Sequence, residues 1–347
     1  MVDIMADLDT LSFESGLGGD LRDVQFLRAR ANGLAICGCA HAAFLCKLSQ
    51  SLRENVKRPA SEEEEEEGDR NALRVGILGM GRIGKQLLTS LLETVGIQPA
   101  QINISTRRPE SSAECRQRGV QCYLDNGRLA AWADVLFLCC LPSQLAAVSA
   151  DLRAHLPKQC LVYSFVTAVP PKRLANLLGH SFILIPQYDF VTGETTDMWQ
   201  SQHGIARALK DPVLMEASCP LEMSGGLSLD KKWVCGVLYS LLNICTSASM
   251  GSRDTLALIN DLFQLKAPQC EKFTTQSYIS SAHASSLSPD EPFPWINLID
   301  VHVMETPLSL FMSRSQNMPA SISMAYKSLA TTHTIQWHKA KCLSASV

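Results

Sequence analysis

Short apolar blocks recur through the middle of the chain and alternate with segments of helical periodicity. Five of these blocks have the length and continuity of buried strands: Arg74–Leu78, Gln101–Ser105, Asp134–Cys140, Cys160–Val166 and Phe182–Ile185. Between the first two, the segment 85–94 carries four leucines at the spacing of one helix face. Repeated strand–helix units predict an α/β fold, a Rossmann-type doubly wound parallel sheet over residues 71–190.

The pattern changes beyond about residue 195, where strand-like blocks fade. Apolar residues such as Trp233, Val237 and Leu241 then share a helix face, and a further helix is expected after the breaker Pro292-Phe293-Pro294. A mostly α-helical domain is therefore predicted over residues 191–310. From about Met312 the composition turns to Ser, Thr, Lys and Asn, so residues 311–347 are expected to form a flexible tail.

A long apolar run, Gly33–Cys46, precedes the predicted sheet and is interrupted only by His41. As a helix it would span about 21 Å, less than the roughly 30 Å of a bilayer core, so a packing helix is expected within an N-terminal helical segment, residues 1–48, and no membrane partner. Six consecutive glutamates, Glu62–Glu67, repel one another and predict a solvated acidic linker over residues 49–70.

Composition narrows the partners and the compartment. The 31 basic and 34 acidic residues give a formal charge of −3, so no nucleic-acid partner is expected. The 13 cysteines are odd in number, scattered and without a CxxC pair, which disfavours a secreted disulfide framework and indicates a reducing, cytoplasmic location. The dispersed histidines form no metal-binding motif, so no metal is expected.

The strongest chemical signal is a GxGxxG loop between the first strand and its helix. Its six residues are predicted to bind a dinucleotide: Gly79, Met80, Gly81, Arg82, Ile83 and Gly84. In such a loop the first glycine makes a tight turn, the second lets backbone approach the pyrophosphate, and the third allows close helix packing. The alternative is a glycine-rich turn that binds nothing.

The residues after the second strand select the nucleotide. Ser105, Thr106, Arg107 and Arg108 follow it, and no acidic residue occurs before Glu110. An NAD site usually places a carboxylate here to hold the ribose 2′-hydroxyl, whereas hydroxyls and guanidinium groups suit a 2′-phosphate. We therefore predict NADP as the cofactor, with a solvated turn as the alternative role of the arginines.

These motifs resemble the pyrroline-5-carboxylate reductase family and, more broadly, NADP-dependent oxidoreductases of the coenzyme-F420-dependent type. Val75–Gly81 is similar to the family's first strand and loop, and Ser105–Arg107 to its phosphate clamp. The resemblance implies that Asn126 lies near the cofactor and that a turn at Pro142 approaches the nicotinamide ribose. It also implies a homodimer formed through the helical domain.

The sequence departs from this family in the turn at Pro142 and also in the later region where substrate would bind. Leu141 stands where the family has a lysine, and the family's Ser-Gly-x-Gly-Pro-Ala signature is absent, with Met223–Gly226 only a superficial echo expected to form a turn. Tyr188 could donate a proton, although a buried core tyrosine is the simpler interpretation.

The predicted function is NADPH-dependent reduction of a small-molecule C=N or C=O substrate by hydride transfer. Two alternatives remain open. The chain could be an NADP-binding sensor or scaffold without turnover. It could be a 3-hydroxyacid-type dehydrogenase, which would need a lysine-bearing helix that cannot be located. D-2-hydroxyacid dehydrogenases share a similar loop but need a longer N-terminal half than the roughly 70 residues before it.

Overall fold

The computed structural model describes residues 19–56, 72–107, 113–192, 196–200, 204–263 and 271–331. The glutamate run, Arg108 and the segments 1–18 and 332–347 lie outside the described residues, so the predictions made for them stay predictions.

A six-stranded, fully parallel sheet forms the centre of the molecule. Its strands are β1 Val75–Leu78, β2 Ile102–Ser105, β3 Gln121–Tyr123, β4 Val135–Leu138, β5 Leu161–Ser164 and β6 Ile183–Leu184. The spatial order is β3-β2-β1-β4-β5-β6. Strands β2 and β3 extend the sheet on one side of β1, and β4, β5 and β6 extend it on the other side. This is the order of a Rossmann sheet and confirms the predicted fold class. The sequence pattern missed β3, a partly exposed edge strand of three residues.

Helices connect the strands and cover the sheet. They are α2 Arg82–Ser90, which continues into a π-helical turn at Leu91–Val95, α3 Ala113–Gln117, α4 Asn126–Trp132, α5 Leu145–Arg153 and α6 Pro171–Leu178. The 3₁₀ turns Pro99–Gln101 and Pro142–Gln144 precede β2 and α5. One hydrophobic core unites the strand residues facing α4, α5 and α6, and a second core occupies the opposite face.

A 37-residue helix, α1 Gly19–Asn55, precedes the sheet and packs on that opposite face beside α2. The predicted apolar run is its buried centre, and Ile36, Leu45 and Leu52 are fully buried. The helix extends through residues 49–55, which were expected to belong to the linker, because Leu52 still packs in the core. By length and composition Asp23–Asn55 could cross a membrane, but 78% of its most apolar window is buried inside the protein.

Charged groups tie the carboxyl-terminal end of α1 to the sheet. The carboxylate of Asp134, just before β4, accepts from the guanidinium groups of Arg53 at 3.3 Å and Arg74 at 2.9 Å. The Arg74 backbone N–H also donates to Asp134 at 3.0 Å. Because one carboxylate bonds to both the helix end and the first strand, it sets the position of α1 over β1 and β4.

The chain beyond the sheet is mostly helical, as expected. Its helices are α7 Ile205–Ala208, α8 Pro212–Ala217, α9 Lys232–Ser247, α10 Ser252–Leu262, α11 Thr275–Tyr278, α12 Ser281–Ser286, α13 Leu298–Val303, α14 Pro307–Arg314 and α15 Met318–Thr331. A 3₁₀ turn at Asp197–Gln200 packs on α1. The expectation of a tail from residue 311 is wrong for 311–331, because α15 buries Met318, Ile322 and Tyr326 in the core.

A two-stranded antiparallel ribbon, β7 Tyr188–Phe190 and β8 Leu227–Leu229, lies between the two parts. The sequence pattern did not predict β8 because three residues are too few to show alternation. The echo Met223–Gly226 leads into β8, and positive φ angles of 72° at Gly225 and 75° at Gly226 confirm the predicted turn.

Candidate cofactor site

The glycine loop lies at the carboxyl end of β1. Gly79 has φ of +100°, a left-handed conformation that favours glycine, and its N–H donates to the Ser105 carbonyl at 2.9 Å. A Cβ on Gly84 would collide with the Gly79 carbonyl oxygen, so only glycine lets the helix start this close to the strand. A Cβ on Gly81 would meet no atom within 4 Å. The loop therefore has open space at its middle glycine, where we expect the loop backbone to contact a ligand.

Helix α2 begins at this loop with the features of an anion site. Its N-cap is Gly81, no side chain caps it, and its first turn contains no acidic residue. The first backbone N–H groups of a helix have no partner within the helix, and with the helix dipole they favour a bound phosphate. Arg82 is exposed there, while Met80 and Ile83 are half-buried. The structure brings all six predicted loop residues to one edge of the sheet.

The end of β2 lies next to the loop. Ser105 is buried, and its hydroxyl donates to the side-chain oxygen of Asn126 at 2.7 Å. Thr106 is half-buried, with its N–H bonded to the Tyr123 carbonyl at 3.0 Å, and Arg107 is exposed. Arg107 thus presents a positive charge at the edge where the loop opens, whereas the Ser105 hydroxyl is already bonded to Asn126.

Asn126 begins α4 and lies between two partners. Its amide oxygen accepts from Ser105, and its Nδ2 donates to the Asp151 carboxylate at 2.9 Å. The preceding residue, Asp125, caps the helix by accepting from the Arg128 N–H at 2.7 Å. These bonds hold the Asn126 amide in a fixed orientation beside the end of β2.

One residue at this edge was missed from the sequence. The Arg128 guanidinium stacks on the ring of Tyr123, 4.7 Å from its centroid. Tyr123 pairs with Ser105 in the sheet, so Arg128 lies near the end of β2 and adds a second exposed guanidinium there. Arg128 comes close to the end of β2 because β3 pairs with β2 in this register. It was missed because the sequence pattern did not reveal β3.

The ends of β4 and β5 form the other half of the edge. Pro142 is exposed at the start of its 3₁₀ turn, and Leu141 is 62% exposed. Cys139 is buried, and burial raises the pKa of its thiol well above the usual value, which agrees with inert packing cysteines. Phe165, just after β5, packs against Gly38 of α1, where a Cβ would come within 2.9 Å of the ring. Helix α1 therefore forms a wall beside the end of β5.

Tyr188 is bonded to α1. Its hydroxyl lies 2.7 Å from His41 Nδ1, while His41 Nε2 lies 2.8 Å from the Ser218 carbonyl oxygen. A carbonyl can only accept, so Nε2 carries the proton and Nδ1 accepts the proton of Tyr188. Burial lowers the pKa of His41 to about 4 and raises that of Tyr188. The hydroxyl proton is thus directed at a neutral imidazole inside the protein, which supports the structural interpretation of Tyr188.

A pocket on the other side of α2 lies away from this edge. It is lined by Thr94, at the far end of the helix that follows the glycine loop, and by residues of α1 including Lys47. Thr94 is ten residues beyond Gly84, which corresponds to about 15 Å along a helix. This pocket is therefore separate from the cofactor site.

Comparison with known proteins identifies the sheet region. The family described as NADP oxidoreductase, coenzyme F420-dependent, matches residues 74–178. Pyrroline-5-carboxylate reductase of Escherichia coli is 30% identical over 108 residues, which are 31% of this chain and 40% of the enzyme. The family match includes the glycine loop and the end of β2, and it ends before the helical part.

Solved structures resemble the chain at low identity. A pyrroline-5-carboxylate reductase from Coxiella burnetii is 16% identical with a TM-score of 0.32, covering 76% of this chain and 100% of that one. An imine reductase from Aspergillus terreus, in complex with NADPH4, is 20% identical with a TM-score of 0.28, covering 37% and 43%.

A mouse relative extends the match over the whole molecule. NADP-dependent oxidoreductase domain-containing protein 1 of Mus musculus is 38% identical over 346 residues, covering 94% of this chain and 93% of the relative. Identity at this level over both parts includes α1 and the C-terminal helices as well as the sheet. It confirms NADP as the cofactor class and the predicted family resemblance. The chain belongs to the family of NADP-dependent oxidoreductase domain-containing protein 1.

Proposed function

We propose that the chain binds NADPH across the carboxyl ends of β1, β2 and β4 and reduces a small C=N or C=O compound. The observation that carries this proposal is the geometry of the glycine loop. Gly81 has no atom within 4 Å of the Cβ position at the start of a helix with no acid in its first turn. That space suits a pyrophosphate held by backbone N–H groups.

Preference for NADPH over NADH follows from the charges at the end of β2. Arg107 is exposed there, Arg128 is stacked nearby on Tyr123, and the sequence has no carboxylate before Glu110. A charge-assisted bond to the 2′-phosphate contributes roughly 1.5–3 kcal/mol, which corresponds to about 10- to 100-fold in affinity. Asn126, oriented by Ser105 and Asp151, would contact the same region of the cofactor.

In the proposed reaction the protein itself has few chemical roles. The reduced nicotinamide supplies the hydride when bound, and the chain binds, orients and shields the reactants. Phe165 and the adjoining part of α1 would form one wall of the substrate crevice, with Leu141 and Pro142 on the opposite side.

The phosphate clamp is tested by substituting Arg107→Ala. We expect NADPH affinity to fall by about 10- to 100-fold while NADH affinity changes little, because only the phosphorylated nucleotide offers a partner. Isothermal titration calorimetry measures both. Arg253→Ala, an exposed arginine on α10, is the matched control and should bind NADPH as the wild type does. Equal losses for both nucleotides would contradict the clamp.

Turnover is tested by following NADPH oxidation at 340 nm over a panel of cyclic imines and keto acids, with pyrroline-5-carboxylate first. The enzyme proposal expects at least one compound to give oxidation that Gly81→Ala abolishes.

The second candidate, an NADP-binding protein without turnover, is favoured by one observation. The proton of Tyr188 is directed at His41, so this tyrosine is not aimed at the crevice. Tight NADPH binding without oxidation across the panel would support this candidate.

Two further properties belong to the proposal. The family resemblance suggests a homodimer formed through the helical part, which sedimentation equilibrium measures as a mass of about twice 38.0 kDa. None of the eleven cysteines in the described residues forms a disulfide, and most are buried. Reduced thiols suit the reducing cytoplasm, and fractionation of expressing cells tests that location.

A further inference from the structure

Tyr123 and Arg128 form a stacked pair at the carboxyl end of β3, next to the end of β2. The Arg128 Cζ lies over the Tyr123 ring, 4.7 Å from its centroid. The Tyr123 side chain is half-buried and its hydroxyl is buried, whereas Arg128 is exposed. The ring therefore covers one face of the guanidinium and leaves the other face open to solvent.

The backbone on both sides of this pair is fixed by hydrogen bonds. Tyr123 lies in β3, and its carbonyl accepts from the Thr106 N–H at 3.0 Å, just beyond the end of β2. Arg128 lies in the first turn of α4, where its own N–H donates to the capping carboxylate of Asp125 at 2.7 Å. The next residue, Leu129, is fully buried in the core beneath α4. The open face of Arg128 thus has a defined position relative to the end of β2.

The place of the pair in the sheet indicates which part of a dinucleotide it would meet. In a Rossmann fold the pyrophosphate binds at the first helix and the adenosine ribose at the end of the second strand. In this protein β3 lies beyond β2, on the side away from β1. A base attached to that ribose would extend past β2 toward β3. Leu124, which directly follows β3, is 65% exposed and adds apolar surface at the same strand end.

We propose that Arg128 holds the adenine base of NADPH, which stacks on the guanidinium face opposite Tyr123. A planar guanidinium stacks on aromatic rings, and Tyr123 orients it before the ligand binds. The charge of Arg128 also favours the nearby 2′-phosphate, but stacking needs the planar group as well as the charge. This inference rests on the proposed binding of NADPH, and it assigns the base to a residue outside the glycine loop and the arginines that follow β2.

Two fragments of the cofactor separate the base from the 2′-phosphate. Adenosine 5′-monophosphate carries the base alone, and adenosine 2′,5′-bisphosphate carries the base and the 2′-phosphate. Calorimetric titration of the full-length protein, with displacement by NADPH for the weaker ligand, measures both dissociation constants. Arg128→Ala should raise both constants by about 2- to 30-fold, the range of a cation–π contact. Arg107→Ala should raise only the constant of the bisphosphate.

Arg128→Lys separates stacking from charge. Lysine keeps the positive charge but has no planar group, so this variant should lose nearly as much affinity for both fragments as Arg128→Ala. Arg253→Ala, an exposed arginine on α10, is the matched control and should leave both constants unchanged. Full affinity in Arg128→Lys, or a loss in Arg128→Ala confined to the bisphosphate, would overturn the proposal and make Arg128 a second group for the phosphate.

The proposed function and this inference fail in different ways. A wild-type protein that binds neither NADPH nor the bisphosphate would refute both. A wild-type protein that binds NADPH, with Arg128→Ala equal to it for both fragments, would refute the base contact alone. Because Arg128 is exposed, its substitution should leave the midpoint of urea unfolding unchanged, which shows that a loss of affinity is local.

Discussion

Gly81 and Gly84 belong to one motif, but glycine is needed at the two positions for different reasons. Gly84 lets α2 begin in contact with the Gly79 carbonyl, so its missing side chain is a packing requirement. Gly81 has φ of −73°, which any residue adopts, and open space around its Cβ position. The fold therefore does not require glycine at this position, and we propose that the bound dinucleotide does.

This difference predicts opposite outcomes for two alanine substitutions. Gly84→Ala should destabilise the protein by roughly 1–3 kcal/mol or more, because a backbone oxygen cannot move aside cheaply. Gly81→Ala should change the free energy of unfolding by less than about 1 kcal/mol yet weaken NADPH binding at least tenfold. Urea unfolding and calorimetric titration measure the two effects. A stable Gly84→Ala variant, or a Gly81→Ala variant with full affinity, would contradict this division of roles.

At the scale of secondary elements, α1 is joined to its surroundings by buried polar bonds as well as apolar packing. His41 links it to β7 through Tyr188 and to the end of α8 through the Ser218 carbonyl. The Ser218 hydroxyl continues to Tyr326 of α15 at 2.8 Å. A buried polar group is costly without its partner, so these bonds select one placement of α1 among the many its apolar face would allow.

The neutral state of His41 predicts a pH dependence of stability. Its pKa is about 4 in the folded protein and about 6.5 in the unfolded chain. Between these values only the unfolded chain binds the proton, so the free energy of unfolding should fall as the pH drops from about 6.5 to 4. The loss attributable to this residue is on the order of 3 kcal/mol.

Chemical denaturation across this pH range provides the measurement. His41→Gln should flatten the slope relative to the wild type, with a residual slope from His180 and His302, whose pKa values burial also lowers. His155→Gln, on an exposed histidine, is the matched control and should keep the wild-type slope. An unchanged slope in His41→Gln would show that the ring is not held neutral.

At the scale of the whole molecule, α1 makes one folding unit of parts that are distant in the chain. A single core includes residues of α1, one face of the sheet and the C-terminal helices. The opposite face is covered by α4, α5 and α6. The sheet therefore has no complete covering of its own, since α2 and α3 occupy only part of the face on which α1 packs.

A cut in the predicted linker tests this dependence. A protease site placed within Glu62–Glu67 should be cleaved, and the two fragments should elute together and unfold in one transition. Fully buried α1 side chains such as Ile36, Leu45 and Leu52 contribute roughly 1.5–3 kcal/mol each to that association. Removal of residues 1–56 altogether should leave a chain that fails to fold. Size-exclusion chromatography and circular dichroism measure both, and a folded, monomeric sheet fragment would refute the idea.

Much of this molecule is readable from local pattern. Continuous apolar runs predicted five of the six parallel strands, and the glycine spacing located the turn between β1 and α2, because both follow from interactions between near neighbours in the chain. The sequence pattern did not predict the short strands β3 and β8, because three residues show no period. It also did not predict that α15 packs on the core, because a Ser-rich helix resembles a loop in sequence. Contacts across the chain decided the rest. They paired Ser105 with Asn126, stacked Arg128 on Tyr123 beside the end of β2 and directed Tyr188 to His41. Contacts of this kind join residues far apart in the chain and have no local signature.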